Sequence, residues 1–174
     1  MATRTALLLK GVNVGGNNKL PMAALTEMMA KDLGWTDTAT YLHSGNVVVG
    51  GATGDLAGQL NEAIASRFAL NIEVFAFTGK ELRAVIADNP FPGKVDEPKN
   101  LHVAFLRTAP AKDLFAKSGL VHDGDEIAVG TRHLYLSYAA ISRDSPLAKV
   151  LRSTKISFTA RNWTTVLKLA ELTA

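Results

Sequence analysis

Apolar residues along the chain recur in two rhythms, and the switch between them predicts the elements. Short apolar or alternating runs mark strands, whereas i, i+3, i+4 spacing marks helices. In the first half this predicts strands over residues 5–10, 38–43, 46–49 and 72–77, and helices over 22–33 and 55–68. Met22, Leu25, Met29 and Leu33 form the stripe of the first helix. Leu56, Leu60, Ala63 and Ile64 form that of the second. The order βαββαβ is that of a ferredoxin-like split βαβ layer, with helices on one face of an antiparallel sheet. The expected class is α+β.

A further helix over 80–87, started by Thr78, must stop at Asn89-Pro90, because a residue before proline is driven out of helical geometry. The polar stretch 91–98, with prolines at 90, 92 and 98 in or beside it, reads as a seam. Beyond it come a strand over 101–106, a short helix over 111–118, and a hairpin of 126–129 and 134–138 across Gly130-Thr131-Arg132. Ser145-Pro146 is an N-cap followed by proline at the first helical position. A last helix places Trp163, Val166, Leu167 and Ala170 on one face. The second half is therefore expected to be a related but truncated α/β half, βαββα plus a C-terminal helix. The halves, 1–89 and 99–174, are expected to pack as one unit. No short sequence repeat accompanies the likeness.

Composition narrows the class. With 47% hydrophobic and 20% charged residues in 174, the chain is built for a core rather than for disorder. No apolar run approaches the ~20 residues of a membrane span. The polar start Met1–Thr5 leads straight into a strand, so a cytoplasmic protein without membrane contact is expected. The absence of cysteine excludes disulfides, thiol catalysis and zinc–thiolate sites. The net charge of +3 is unevenly placed: from Ala140 onward six basic residues face only Asp144 and Glu171. That excess points to an anionic partner, and a solvated basic helix face explains it equally.

The loop Gly11-Val12-Asn13-Val14-Gly15-Gly16-Asn17-Asn18-Lys19-Leu20-Pro21 joins the first strand to the first helix. Gly15 and Gly16 can take positive φ and leave the backbone open to close approach. With Leu20 at the N-cap position and Pro21 first in the helix, the amides of Met22 and Ala23 lack a side-chain cap. A phosphate or carboxylate there would gain hydrogen bonds and roughly 0.3–1 kcal/mol from the helix dipole. Lys10, Asn13 and Lys19 would add charge and donors. Two bland alternatives remain: Asn17 or Asn18 folds back as a cap, or the glycines allow a wide turn. The loop matches neither the dinucleotide fingerprint nor the P-loop.

Ser44-Gly45-Asn46 is first a hairpin turn; a nucleophilic Ser44 would need a base that no pattern supplies. Arg161 and Arg143 each stand before an expected helix start, where a cation is unfavourable unless an anion or carboxylate offsets it. Asn162 is a good N-cap. Histidines 43, 102, 122 and 133 show no metal-ligand spacing, so no metal or cofactor is expected. The acidic turn around Gly124 lacks EF-hand spacing.

Together these segments resemble the bacterial domain-of-unknown-function family 1697. The resemblance rests on Leu8–Met22, on Thr40–Val48, on Asn89-Pro90-Phe91, on Leu101–Leu106, and on Thr159–Leu169. It implies an α+β fold of two related halves and brings no established activity, cofactor or catalytic residue. Family members usually carry arginine at Lys10 and glutamine at His43. The first change keeps charge without the bidentate fork. The second removes support for a catalytic His43.

The leading expectation is a small anionic or phosphorylated ligand bound at a composite loop site. Its residues would be Lys10, Asn13, Gly15, Gly16, Lys19, Ser44, Asn46, Arg143, Arg161 and Asn162. Nucleic-acid binding through the basic C-terminal segment is the second expectation. It lacks the stacking aromatics that sheet-type RNA readers use. A protein-interaction module without catalysis is the third.

Overall fold

Successive apolar residues in Arg4–Leu9 (β1) have a simple cause: Ala6, Leu7, Leu8 and Leu9 are all fully buried, so both faces of this strand are covered. The computed structural model describes residues 3–111, 113–115, 124–140 and 145–174. The first sheet contains β1, β2 (Thr38–Tyr41), β3 (Asn46–Gly50) and β4 (Val74–Thr78) in the order β2-β3-β1-β4. All its pairings are antiparallel, with Leu8 opposite Asn46 and Leu9 opposite Val74. Helices α1 (Met22–Asp32) and α2 (Leu56–Phe68) bury Leu25, Met28, Met29, Leu60 and Ile64 against Leu7, Leu9, Val47 and Val49. Asp55 caps α2 by accepting a hydrogen bond from the Gly58 amide at 3.0 Å.

The second sheet holds β5 (Leu101–Leu106), β6 (Glu126–Val129), β7 (His133–Ser137) and β8 (Phe158–Asn162) in the order β6-β7-β5-β8. It too is antiparallel, and Phe105 stands opposite His133. Leu147 and Leu151 of α4 (Pro146–Ser153) pack with Ala104, Leu106, Leu134 and Leu136 on one face. With α3 (Gly79–Ala87) and α5 (Trp163–Leu172), the described residues contain five α-helices and two four-stranded antiparallel sheets, an α+β class.

The expectation of a truncated second half is therefore corrected: β8 supplies a fourth strand where residues 159–163 read as a helix start. The strand alternates, Thr159 and Arg161 buried and the others partly so, and it pairs with His102–Leu106 of β5. It passes into α5 without a loop, which hid it. β4 runs into α3 in the same way, through a capping box in which the Thr78 amide donates to Glu81 Oε2 at 2.8 Å and the Glu81 amide to Thr78 Oγ1 at 3.3 Å. Of the helix expected over 111–118, residues 113–115 form a turn, while 112 and 116–118 lie outside the described residues.

The chain divides into two compact units, one reaching Arg83 and including Leu169–Ala174, the other Ala84–Lys168. The boundaries fall within α3 and α5 rather than in the proline-rich stretch, which forms a short 3-10 turn at Pro92–Lys94.

Candidate functional site

In the first unit the loop after β1 is exposed except at two anchors, Val12 and Leu20, both fully buried. Between them the backbone doubles back on itself. Val14 and Asn17 form an isolated bridge, with Gly15 (φ 61°) and Gly16 (φ 80°) at the tip. That pair of positive φ angles is the signature of a type I′ turn, which side chains with a Cβ resist. The Asn13 amide donates to Asn18 O at 3.2 Å, extending the small ladder.

Asn13 fixes this finger to its surroundings. Its Nδ2 donates to Leu20 O and to His43 O, both at 2.8 Å, and its Oδ1 accepts from the Leu20 amide at 2.8 Å. Asn18 Nδ2 donates to Gly11 O at 3.1 Å, so it does not cap α1. The cap position is held by Pro21 rather than Leu20, because α1 opens at Met22 and its first intrahelical bond runs from the Leu25 amide to Pro21 O at 3.0 Å. Among the described residues no side chain caps this helix. The amides of its first turn are left to solvent or a ligand.

The turn between β2 and β3 lies against the same loop. The Leu9 amide donates to Gly45 O at 2.8 Å, and a Cβ on Gly45 (φ 81°) would meet Leu9 Cβ at 2.7 Å. Fully buried Asn46 donates from Nδ2 to Tyr41 O at 2.8 Å and to Ser44 Oγ at 3.3 Å. Lys10 pairs with Glu73 at 3.5 Å, while Lys19 stands exposed at the end of the finger. The first unit thus brings Lys10, Asn13, Gly15, Gly16, Lys19, Ser44 and Asn46 to one end of its sheet. Asn13 and Asn46 spend their amides on the scaffold.

Arg161 and Asn162 belong to the second unit. Arg161 is a strand residue, not a cation exposed before a helix. Its side chain is buried, with Nη1 donating to Thr159 Oγ1 and Ala160 O, each at 2.8 Å, and burial lowers its pKa to about 10. Asn162 caps α5 by accepting from the Thr165 amide at 3.0 Å. Arg143 lies outside the described residues.

No motif along the chain marks a cavity of about 620 Å³ in the second unit, with Asp88, Pro110, Val129, Gly130, His133 and Tyr135 in its wall. The available signal was a histidine opening an otherwise apolar strand, His133-Leu134-Tyr135-Leu136. Among the described residues no group of three His, Asp or Glu side chains could hold a metal. No helix of the described residues is long and apolar enough to cross a membrane.

Comparison with known proteins places this geometry in context. A solved structure titled "conserved bacterial protein SP0830 from Streptococcus pneumoniae" is similar over 100% of both chains, with a TM-score of 0.75 and 22% sequence identity. That likeness is one of fold. No curated protein sequence matches the chain. The family model described as "Protein of unknown function (DUF1697)" matches residues 1–135, which include the glycine loop, the Ser44 turn and the whole first sheet. The chain belongs to this family of unknown function.

Proposed function

We propose that the first unit binds a small anion, such as the phosphate of a phosphorylated small molecule, at the glycine finger. The observation that carries the reading is the start of α1, which has no side-chain cap and directly follows the finger. Orphan amides at the positive end of a helix favour an anion by charge and by hydrogen bonding. Gly15 and Gly16 add backbone without side chains in the way, and Lys19 adds a cation. Asn13 and Asn46 act as positioning residues that hold the finger and the Ser44 turn. Lys10 contributes less, since Glu73 already neutralises it. The shared strand order further supports reading both units as ferredoxin-like halves.

The test is a titration of the full chain with inorganic phosphate, followed through backbone amide resonances. Saturable shifts at Gly15, Gly16, Met22 and Ala23, absent with chloride, are expected. Flat traces up to about 10 mM phosphate and a phosphorylated sugar would retire the reading, since a dissociation constant near 1 mM corresponds to only about −4 kcal/mol.

A further inference from the structure

A second hollow, of about 580 Å³, lies within the second unit, where the end of α3, the 3-10 turn and the start of α5 meet. Ile86, Pro92, Val95, Pro98 and Leu167 give it apolar walls. Val95 and Leu167 are 36% and 45% exposed, among the few large apolar side chains that the described residues leave open to water. Such walls suit the body of a small organic molecule.

The polar groups in the lining are donors. Trp163, which lines the hollow, is only 4% exposed. Its backbone amide donates to Pro98 O at 3.3 Å, while its indole N–H has no partner among the described residues. A buried indole ordinarily finds one. Among the described residues the side-chain polar atoms both sealed and unpaired are His102 Nδ1 and His133 Nε2. The small part of Trp163 that water reaches therefore includes its Nε1. The Thr164 amide, second in α5, is also unpaired, because Asn162 Oδ1 takes the Thr165 amide and Pro98 O that of Trp163. Asn89 Oδ1 accepts from the Phe91 amide at 3.0 Å, which leaves its Nδ2 as a third open donor in the lining.

Unpaired N–H groups beside apolar walls call for an acceptor on an apolar body. A carboxylate answers best, since hydrogen bonds to an ionised acceptor are about twice as strong as neutral ones. The start of α5, a helix of 10 residues, favours negative charge as well. Between residues 92 and 99, Lys94 and Lys99 balance Asp96 and Glu97, so the donors rather than a net field select the ligand. We propose that this hollow binds a small carboxylate with an apolar body. Its oxygens accept from Trp163 Nε1–H and the Thr164 amide, and its body lies against Ile86, Pro98 and Leu167.

Phenylacetate is the probe, and the indole N–H resonances of the full chain are the readout. The chain has two tryptophans, so Trp35, in the first unit, serves as the internal reference. A saturable shift of the Trp163 indole N–H is expected, with Trp35 unmoved. Leu167→Glu changes an exposed residue, removes a wall and adds a like charge; it should weaken binding at least tenfold. Leu167→Lys should hold it within about threefold. Phenylacetamide, with the same ring and a neutral carbonyl, should bind about tenfold more weakly. Phenethylamine, a cation, should leave Trp163 unshifted. No saturable shift by about 10 mM phenylacetate, equal affinity for phenylacetamide or phenethylamine, or undiminished binding to Leu167→Glu would each overturn the proposal. The phosphate titration reads amides of the first unit, so the two readings fail independently.

Discussion

One strand order serves two opposite ends. In the first unit the end of the sheet is closed: Gly45 packs on Leu9, Asn46 locks its turn, and Asn13 staples the glycine finger above it. Beyond it the unit presents outward backbone and the exposed Lys19. In the second unit the corresponding place adjoins a cavity, and Nε2 of its buried His133 has no hydrogen-bond partner among the described residues. The difference traces to a few side chains rather than to topology. It teaches that a shared scaffold leaves the chemistry at its ends free to diverge.

The two turn glycines give the sharpest contrast. Gly45→Ala forces a Cβ into the left-handed region and against Leu9, a fixed core residue, and should cost about 3 kcal/mol. Gly130→Ala meets only the edge of an imidazole beside a cavity, and should cost about 1 kcal/mol. Urea denaturation of the two variants measures both, and equal losses would erase the distinction between a closed and an open end. Next in size, Asn13→Ala removes three hydrogen bonds in a half-exposed setting and should cost about 2 kcal/mol, with faster hydrogen exchange at the Leu20 amide.

His133→Phe should move the other way. It replaces an unsatisfied buried group with an apolar ring and is expected to gain about 1 kcal/mol. Its pH dependence is a second check. The His133 pKa falls from 6.5 to about 4 because burial opposes the charged form, so the unfolded chain takes up the proton first. The stability it contributes is present above pH 6.5 and is lost as pH falls towards 4. Burial lowers His102 with the same sign. The melting temperature of His133→Phe should therefore decline less between pH 6.5 and 4 than that of the parent, and parallel profiles would contradict a neutral buried His133. Smallest of all, Lys19→Gln should leave stability unchanged within about 0.5 kcal/mol while weakening phosphate binding about threefold.

Much of the fold was legible in the order of residues because its elements announce themselves locally. The strand at 101–106 and the hairpin strand at 126–129 agree with the structure to the residue. Helical stripes found α1 and α2 within a residue or two at their ends. β8 escaped because it carries a buried arginine and adjoins its helix without a turn, so the helical stripe after Trp163 dominated the reading. The uncapped start of α1 followed from Pro21, although the cap position fell one residue later than expected. Asn13 as a staple was invisible, since its partners at Leu20 and His43 meet only in the folded unit. The same holds for His133: nothing along the chain tells a histidine bonded within its turn from one whose Nε2 is buried without a partner among the described residues.

The finger also has a use for protein engineers. Residues 14–17 stand clear of the core, while Val12, Leu20 and the Asn13 staple fix the stem below them. A peptide spliced between Gly15 and Gly16 would start and finish at anchored points, and each doubling of its length would cost only about 0.6 kcal/mol of closure entropy. The chain thus carries a ready-made display socket, in which an epitope or sensor loop could be exchanged without recutting the sheet.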